Sequence, residues 1–306
     1  MRFKNLDLNL LAALDLLLTE RNVSRAAEKM KITQSAMSNA LSRLRAYFGD
    51  DLLVQVGRRL ELTPRAEVLV EPVRDILVRV EASIIAAPDF DPRTSDRLFR
   101  ILASDYTVMT LLADFLHIAG QGALQFQFLP QTDQPDRVLE RGEADLLVIP
   151  ENYASQEHPM EILFEESFVA VVDRAHPRIS EILTLDAFLR ERHAVMLPSI
   201  DVPSFESQAI QALGIRRNVD VVSFSFLALP ALVVGTDRIA ILHRRLAKRV
   251  IRTLPLKMLE LPFAIPKMRQ CAQWHSYRSN DPAIRWLRET VVKAAAADPD
   301  HANGHL

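Results

Sequence analysis

A single cysteine, Cys271, stands in the 306-residue chain. That count excludes an internal disulfide and any multi-cysteine metal or iron–sulfur site, and a lone thiol of this kind is expected to serve as a small buried apolar residue. Glycine is also scarce: there are eight, none in a G-x-G-x-x-G arrangement, so no phosphate-cradling loop is present. No His-Glu-x-x-His motif occurs, and His117, His158, His176, His193, His243 and His275 lack metal-ligand spacing. These absences argue against an enzyme and against a bound metal or cofactor. Near the start, the apolar run from Leu10 to Leu14 stops at Asp15, far short of the ~18 residues a membrane span needs. Asp7, Asp15 and Glu20 do not fit a signal peptide. A cytoplasmic protein with no membrane partner is expected, which also disfavours an exported solute-binding protein.

What is present is the composition of an ordinary globular chain, 49% hydrophobic and 25% charged, with a length that suits two or three compact units. The formal net charge of −2 conceals an asymmetry. Residues 1–65 hold 11 basic and 7 acidic residues, and the remainder 26 and 32. A mildly basic head on an acidic body suits a small DNA-binding module attached to something that avoids DNA.

The head reads as helices. Leu10, Leu14, Leu17 and Leu18 recur at helical spacing after Asp7, a suitable cap. Ser24 is the expected cap of a second helix, where the small Ala26 and Ala27 permit close crossing. Thr33 is expected to cap a third helix with Met37, Leu41, Leu44 and Phe48 on its inner face. Its other face presents Gln34, Ser35, Ser38, Asn39 and Ser42, followed by Arg43 and Arg45. Asn and Gln can bond adenine edges in pairs, Ser can bond bases or phosphates, and arginine adds phosphate attraction or guanine reading. Two short helices, a tight turn and such a face indicate a helix-turn-helix. Downstream, Leu52–Val56 and Leu60–Leu62 flank Gly57-Arg58-Arg59, a hairpin wing placing two arginines near the phosphate backbone or in a minor groove.

Thr63-Pro64 is a strong helix start. Leu69, Val73, Ile76, Val80 and Ile84 form one stripe, which favours pairing with the same helix of a second subunit. Pro72 removes one hydrogen bond without changing the phase of the stripe, so a bent continuous helix is expected, ending near Ala87-Pro88. Beyond Arg97 strands alternate with helices, the pattern of parallel or mixed sheets covered by helices. Expected strands lie at 98–103, 124–128, 144–149, 168–172, 193–197, 219–224, 238–242, 257–261 and 270–277, and Asp281-Pro282 opens a C-terminal helix.

Several segments together resemble the LysR-type transcriptional regulators: Leu6-Asp7-Leu8-Asn9-Leu10, Ser24-Arg25-Ala26-Ala27, Thr33-Gln34-Ser35-Ala36-Met37-Ser38, Arg43-Leu44-Arg45, Asp51-Leu52-Leu53 and Leu62-Thr63-Pro64-Arg65-Ala66. The resemblance spans the chain and is most specific in the first 65 residues; Ser35 departs from a proline common in the family. Trp274-His275, Asp281-Pro282, Trp286-Leu287-Arg288, Gly214-Ile215-Arg216-Arg217 and Thr236-Asp237 resemble the branch of flavonoid-responsive nodulation regulators and salicylate- or nitroaromatic-responsive regulators. The resemblance implies an α/β chain in three parts. These are a winged helix-turn-helix over 1–63, a linker and dimerisation helix over 64–90, and a periplasmic-binding-protein-like effector domain over 91–306. The last has two subdomains, 97–168 with 268–300 and 169–267, and a ligand cleft between them. Promoter DNA, a second copy of the chain in a dimer or tetramer, a small aromatic or phenolic effector and RNA polymerase are the implied partners, and activation is the expected mode.

Ser24, Arg25, Gln34, Ser35, Ser38, Asn39, Arg43, Arg58 and Arg59 make up the expected DNA-binding set. For the effector, ligands of open α/β sheets bind beyond the carboxyl ends of strands and at helix N-termini. That selects Ser104, Asp105, Tyr106 and Thr107 after the first effector-domain strand, Phe224 and Ser225 after a later one, and Pro203 and Ser204 at a helix start whose N–H groups would receive a phenolate or carboxylate. His243 and Arg245 would supply a cation and Trp274 an aromatic wall. Asp105 caps a helix or binds a phenol hydroxyl; the residues leave both readings open.

Overall fold

The computed structural model describes residues 6–85, 89–120, 122–198 and 203–297. The chain divides into two compact units, one of residues 1–86 and the other of 87–306 apart from 140–142.

In the first unit α1 (Leu8–Glu20) starts at Asp7, whose carboxylate accepts the Leu10 N–H at 2.8 Å. The second helix, α2 (Val23–Met30), is capped by Asn22 and not by Ser24. Asn22 is extended and offers Oδ1 to the Arg25 N–H at 3.1 Å, so Ser24 falls inside the first turn with its side chain exposed. Thr33 caps α3 (Gln34–Phe48), which ends at Gly49 in the left-handed region (φ 62°) that glycine adopts without a Cβ penalty. Leu14, Leu17, Ala26, Ala27, Met37 and Leu44 are buried together as the core of this unit. The wing is an antiparallel pair, β1 (Leu53–Val56) and β2 (Arg59–Leu62), closed by Gly57-Arg58. Its root is tied by Asp50, whose Oδ1 accepts from the Leu52 N–H at 2.7 Å and the Thr63 hydroxyl at 2.6 Å.

Thr63 caps α4 (Pro64–Val80), which runs through Pro72 and continues as a π-helical turn at Glu81–Ile85. The expected end near Ala87-Pro88 lies outside the described residues. The expected single stripe on this helix is divided. Val73 is buried in the unit's own core with Leu69 and Leu77 packed against it, whereas Ile76 and Ile84 are 44% and 75% exposed. The division arises because α1 lies along α4, with Asp15 and Arg74 paired at 2.6 Å across them.

The second unit holds two five-stranded sheets. In the first lobe β3 (Leu98–Ala103) runs parallel to β4 (Gln125–Leu129) and β5 (Leu146–Pro150). The returning strand β12 (Met268–Gln273) is antiparallel to β5 and to β6 (Met160–Glu166), giving the order β4-β3-β5-β12-β6. The second lobe has β7 (Phe168–Asp173), β8 (Arg192–Met196), β9 (Asn218–Ser223), β10 (Arg238–His243) and β11 (Leu256–Leu259) in the order β11-β7-β10-β8-β9. Strands β8, β9 and β10 run parallel, and β7 is antiparallel to β10 and β11. The chain passes between lobes at Ser167 and again between β11 and β12.

Helices cover these sheets: α5 (Asp105–Thr107), the π-helical turn Val108–Leu112, α6 (Ala113–Ala119), α7 (Pro135–Glu140) and α12 (Pro282–Ala297) in the first lobe, and α8 (Leu185–Arg190), α9 (Phe205–Ala212), α10 (Leu229–Val233) and α11 (Arg244–Val250) in the second. Strand β6 was not among the expected strands, because its half-exposed start and its Glu165-Glu166 end blur the alternation. The last strand ends at Gln273, four residues before the expected Tyr277, where the chain enters a 3-10 turn at Ser276–Arg278. Cys271 is buried, and that burial pushes its thiol up to about 12. No helix among the described residues is long and apolar enough to cross a membrane.

Candidate functional site

On the first unit, α3 presents Gln34, Ser35, Ser38, Asn39 and Arg43 to solvent, and the wing presents Arg58 and Arg59. Ser24 and Arg25 are exposed on α2. Arg45, which follows the polar face in the sequence, does something else: Nε donates to the Asp51 carbonyl and Nη2 to the Leu53 carbonyl, each at 2.8 Å. It ties the end of α3 to the first wing strand.

In the second unit a cleft of about 370 Å³, its open mouth included, lies where strands from both lobes end. Ser104 and Tyr106 follow β3, Gln131 follows β4, and Pro150 and Tyr153 lie at and beyond the end of β5. From the other lobe come Pro198 after β8, Phe226 after β9, His243 at the end of β10, and Ser204, Phe205 and Glu206 at the start of α9. Met268 and Gln270 of β12 complete the lining. This is the position that the topology of open parallel sheets reserves for ligands. A second groove, about 430 Å³ with its open mouth included, continues from Gln131, Pro150, Tyr153 and Pro198 toward Leu102 and Pro135.

One wall is aromatic. Tyr106 of one lobe stacks on His243 of the other with ring centroids 3.7 Å apart, and Phe226 meets the His243 ring edge-on at 4.6 Å. Beneath them the Tyr106 hydroxyl donates to Glu166, and Arg245 Nε lies 3.5 Å from the same carboxyl. Burial pushes Glu166 up to about 7 and depresses His243 to about 3. The His243 imidazole is therefore neutral at physiological pH.

The sequence of the first unit matches the family model described as bacterial regulatory helix-turn-helix protein, lysR family, over residues 8–67. The model described as LysR substrate binding domain matches residues 96–296. The chain is a LysR-type transcriptional regulator. Nodulation protein D 1 of Rhizobium leguminosarum bv. phaseoli is 40% identical to it over 302 residues, covering 98% of this chain and 96% of that protein. Nodulation protein D 3 of Mesorhizobium japonicum is 38% identical over 299 residues, covering 97% and 99%. These relatives place the regulator with the nodulation branch. Among solved structures, the probable transcriptional regulator PA0477 of Pseudomonas aeruginosa superposes with a TM-score of 0.64 at 29% identity, covering 94% of this chain and 96% of that one. Full-length OxyR of the same organism reaches 0.73 at 16% identity, covering 97% of each, which is a likeness of fold alone. The family is one of DNA-binding regulators, not of enzymes.

The cleft of the regulator brings together Ser104, Tyr106, Ser204 and His243 of the expected effector residues. The others lie elsewhere. Trp274 is buried in the first lobe's core, its indole N–H on the Ser279 hydroxyl at 3.1 Å and the Arg288 guanidinium over its ring. Phe224 is 87% exposed and Phe226, two residues on, takes the wall. Asp105 does not line the cleft: Ser104 holds the cap position of α5, and Asp105 Oδ1 accepts from the first-turn Tyr106 N–H at 2.8 Å. Its Oδ2 accepts from the Ser225 hydroxyl at 2.6 Å and the Leu227 N–H at 3.1 Å, joining the lobes. That bond also removes Ser225 from the lining. Thr107 is buried, bonded to Ser104 and Gln270, and the Pro203 carbonyl accepts from Gln208.

Two expectations about charge are corrected. His243 is neutral and Arg245 is engaged with Glu166, so neither supplies the expected cation to the cleft. The start of α9, expected to hold a phenolate, already carries the Glu206 carboxyl, which bonds the Ser204 hydroxyl and, at 3.2 Å, the Ser207 hydroxyl. Sequence reasoning missed Gln131, Tyr153, Pro198, Glu206, Met268 and Gln270 as lining residues. For Glu206 a signal existed, an acidic residue directly after the Ser204-Phe205 helix start.

Proposed function

We infer that the regulator activates transcription in response to a small aromatic effector, a phenol, bound between its two effector lobes. The observation that carries this reading is the Tyr106–His243–Phe226 wall at the strand ends of both lobes: a mostly apolar ring is buried there while a few polar groups fix its orientation. Because residues of both lobes line the cleft, a ligand there favours one lobe arrangement over another, the requirement for control. DNA contact is assigned to Gln34, Ser35, Ser38, Asn39 and Arg43 of α3 in the major groove, to Arg58 and Arg59 of the wing at the backbone, and to Ser24 and Arg25 of α2 as flanking contacts. The exposed Ile76 and Ile84 support pairing of the linker helix with that of a second copy, so that two readers meet two half-sites; RNA polymerase is the partner through which activation acts.

A promoter reporter together with footprinting tests this reading. Phe226→Ala is expected to abolish induction by added phenols while the footprint stays intact, and Phe224→Ala is expected to retain induction. Gln34→Ala is expected to relax base preference, and Arg58→Ala to weaken binding to all sequences and lower its salt dependence. Full induction in Phe226→Ala would overturn the assignment of the effector to this cleft.

A further inference from the structure

The cleft carries three buried polar atoms without partners, Glu206 Oε2 and His243 Nδ1 from one lobe and Gln270 Oε1 from the other, so that each lobe contributes one carbonyl-type oxygen. Glu206, 2% exposed, spends Oε1 on the Ser204 and Ser207 hydroxyls, and its Oε2 has no hydrogen bond. Gln270, 1% exposed, donates through Nε2 to the Thr107 hydroxyl at 3.2 Å, and its Oε1 has no partner. An unpaired buried polar atom costs on the order of 1–3 kcal/mol, so a site retaining three of them on its lining is built for a ligand that satisfies them, and the two oxygens, one per lobe, set its two main anchoring points. Gln270 also sits where the pairing of β12 with β6 shifts register, next to Cys271, and such irregularities re-aim side chains toward functional sites.

No lysine or arginine is among the lining residues described, and the one ring that could charge, His243, is held neutral. The nearest guanidinium groups are committed: Arg217 donates to the Ser207 hydroxyl at 2.7 Å, and Arg245 faces Glu166. An anionic ligand would meet a carboxyl and an amide oxygen, with no lysine or arginine among the described lining residues to pair with it. A hydroxyl donates to the Gln270 amide oxygen, and at Glu206 it serves either protonation state, as donor to the carboxylate or acceptor from the acid.

We propose that Glu206 and Gln270 form a two-point specificity element that selects an uncharged aromatic bearing two hydroxyl groups and rejects anionic aromatics. The inference rests on the cleft reading above and names the ligand chemistry that cleft takes. An ordinary phenol, with an acidity constant near ~10 as in tyrosine, remains neutral at pH 7 and qualifies; a carboxylate does not.

Calorimetric titration of the full-length regulator at neutral pH tests it with catechol, resorcinol, hydroquinone, their dimethyl ethers, and benzoate. At least one diol is expected to bind, with its dimethyl ether weaker by about tenfold or more, since the ether keeps the ring and loses both donors. Benzoate is expected to bind at least tenfold more weakly than that diol. Gln270→Leu is expected to bring the diol down toward the ether, and Glu206→Gln to narrow the gap between diol and benzoate. An ether that binds as well as its diol, or benzoate that matches it, would overturn the proposal on the unaltered protein, without reliance on any variant folding. Binding by no aromatic, or diol binding untouched by Phe226→Ala, would instead bring down the cleft reading and this inference with it.

Discussion

His243 shows how far one side chain's behaviour depends on its surroundings. Its imidazole stacks on Tyr106, meets Phe226 edge-on and lies 5.0 Å from Phe168, and burial holds it at about 3 against 6.5 for a free imidazole. An unfolded chain binds a proton here between those values while the folded chain does not. The stabilising contribution is therefore present above about pH 6.5 and lost as pH falls toward 3, at up to about 1.4 kcal/mol per pH unit. His193, depressed to about 4 by burial, acts in the same direction. Glu166, raised to about 7, acts in the opposite one: its contribution is full below about 4.5 and is lost as pH rises through 7. His243→Phe keeps a ring in the stack and removes one acid-sensitive group. Denaturant unfolding at pH 7, 6 and 5 is expected to show the variant losing about 1–2 kcal/mol less than the unaltered protein on acidification. Parallel losses in the two proteins would show that His243 is not held neutral by the fold.

At the scale of elements, α4 serves two clients with two faces. Val73 is inside the core formed with α1 and α3, while Ile76 and Ile84 remain on the surface. Val73→Ser is expected to destabilise the first unit by about 2–3 kcal/mol, from lost burial, a cavity and a buried hydroxyl, measured by thermal unfolding of the full chain. Ile76→Ser with Ile84→Ser is expected to leave that transition in place and to lower the oligomer mass in light scattering. An unchanged mass would remove α4 as the pairing helix. The stripe itself was readable from spacing, but its division was not, because spacing does not say which side α1 will cover. The caps show the same limit: Thr33 and Thr63 were legible, whereas Asn22 displaced Ser24 because the turn after α1 holds Asn22 extended with its amide over the Arg25 N–H.

For the effector-binding unit as a whole, the two lobes are linked across the cleft by bonds at separated points. Asp105 accepts from Ser225 and Leu227, and Arg249 donates to the Met109 and Thr110 carbonyls and pairs with Asp114 at 3.0 Å. Asp105→Ala removes the first of these. Hydrogen exchange is expected to speed up at residues 223–228 with β3 and β10 unaffected, and the melting temperature to fall by roughly 2–6 °C, as about 1–2 kcal/mol would produce in a unit of this size. Unchanged exchange at 223–228 would show that this contact does not hold the lobes together.

The reader, the wing, the linker helix and the alternation of strands and helices are legible along the chain, because each rests on contacts or patterns within a few residues: caps, turns and apolar periodicity. The family followed from the same local segments. Strand-end logic also led to Ser104, Tyr106, Ser204 and His243, since topology places such ends on one side of a sheet. Which neighbours face the cleft is set by how the two lobes pack. The tertiary structure chose Phe226 over the exposed Phe224, buried Trp274 behind Arg288, and turned Asp105 from ligand candidate into a link between lobes. It also decided the charge of the site. His243 and Arg245 read as cations in the sequence, but whether a group is charged, paired or neutral depends on desolvation and on partners up to 79 residues away in the chain, such as Glu166, which only folding brings within reach.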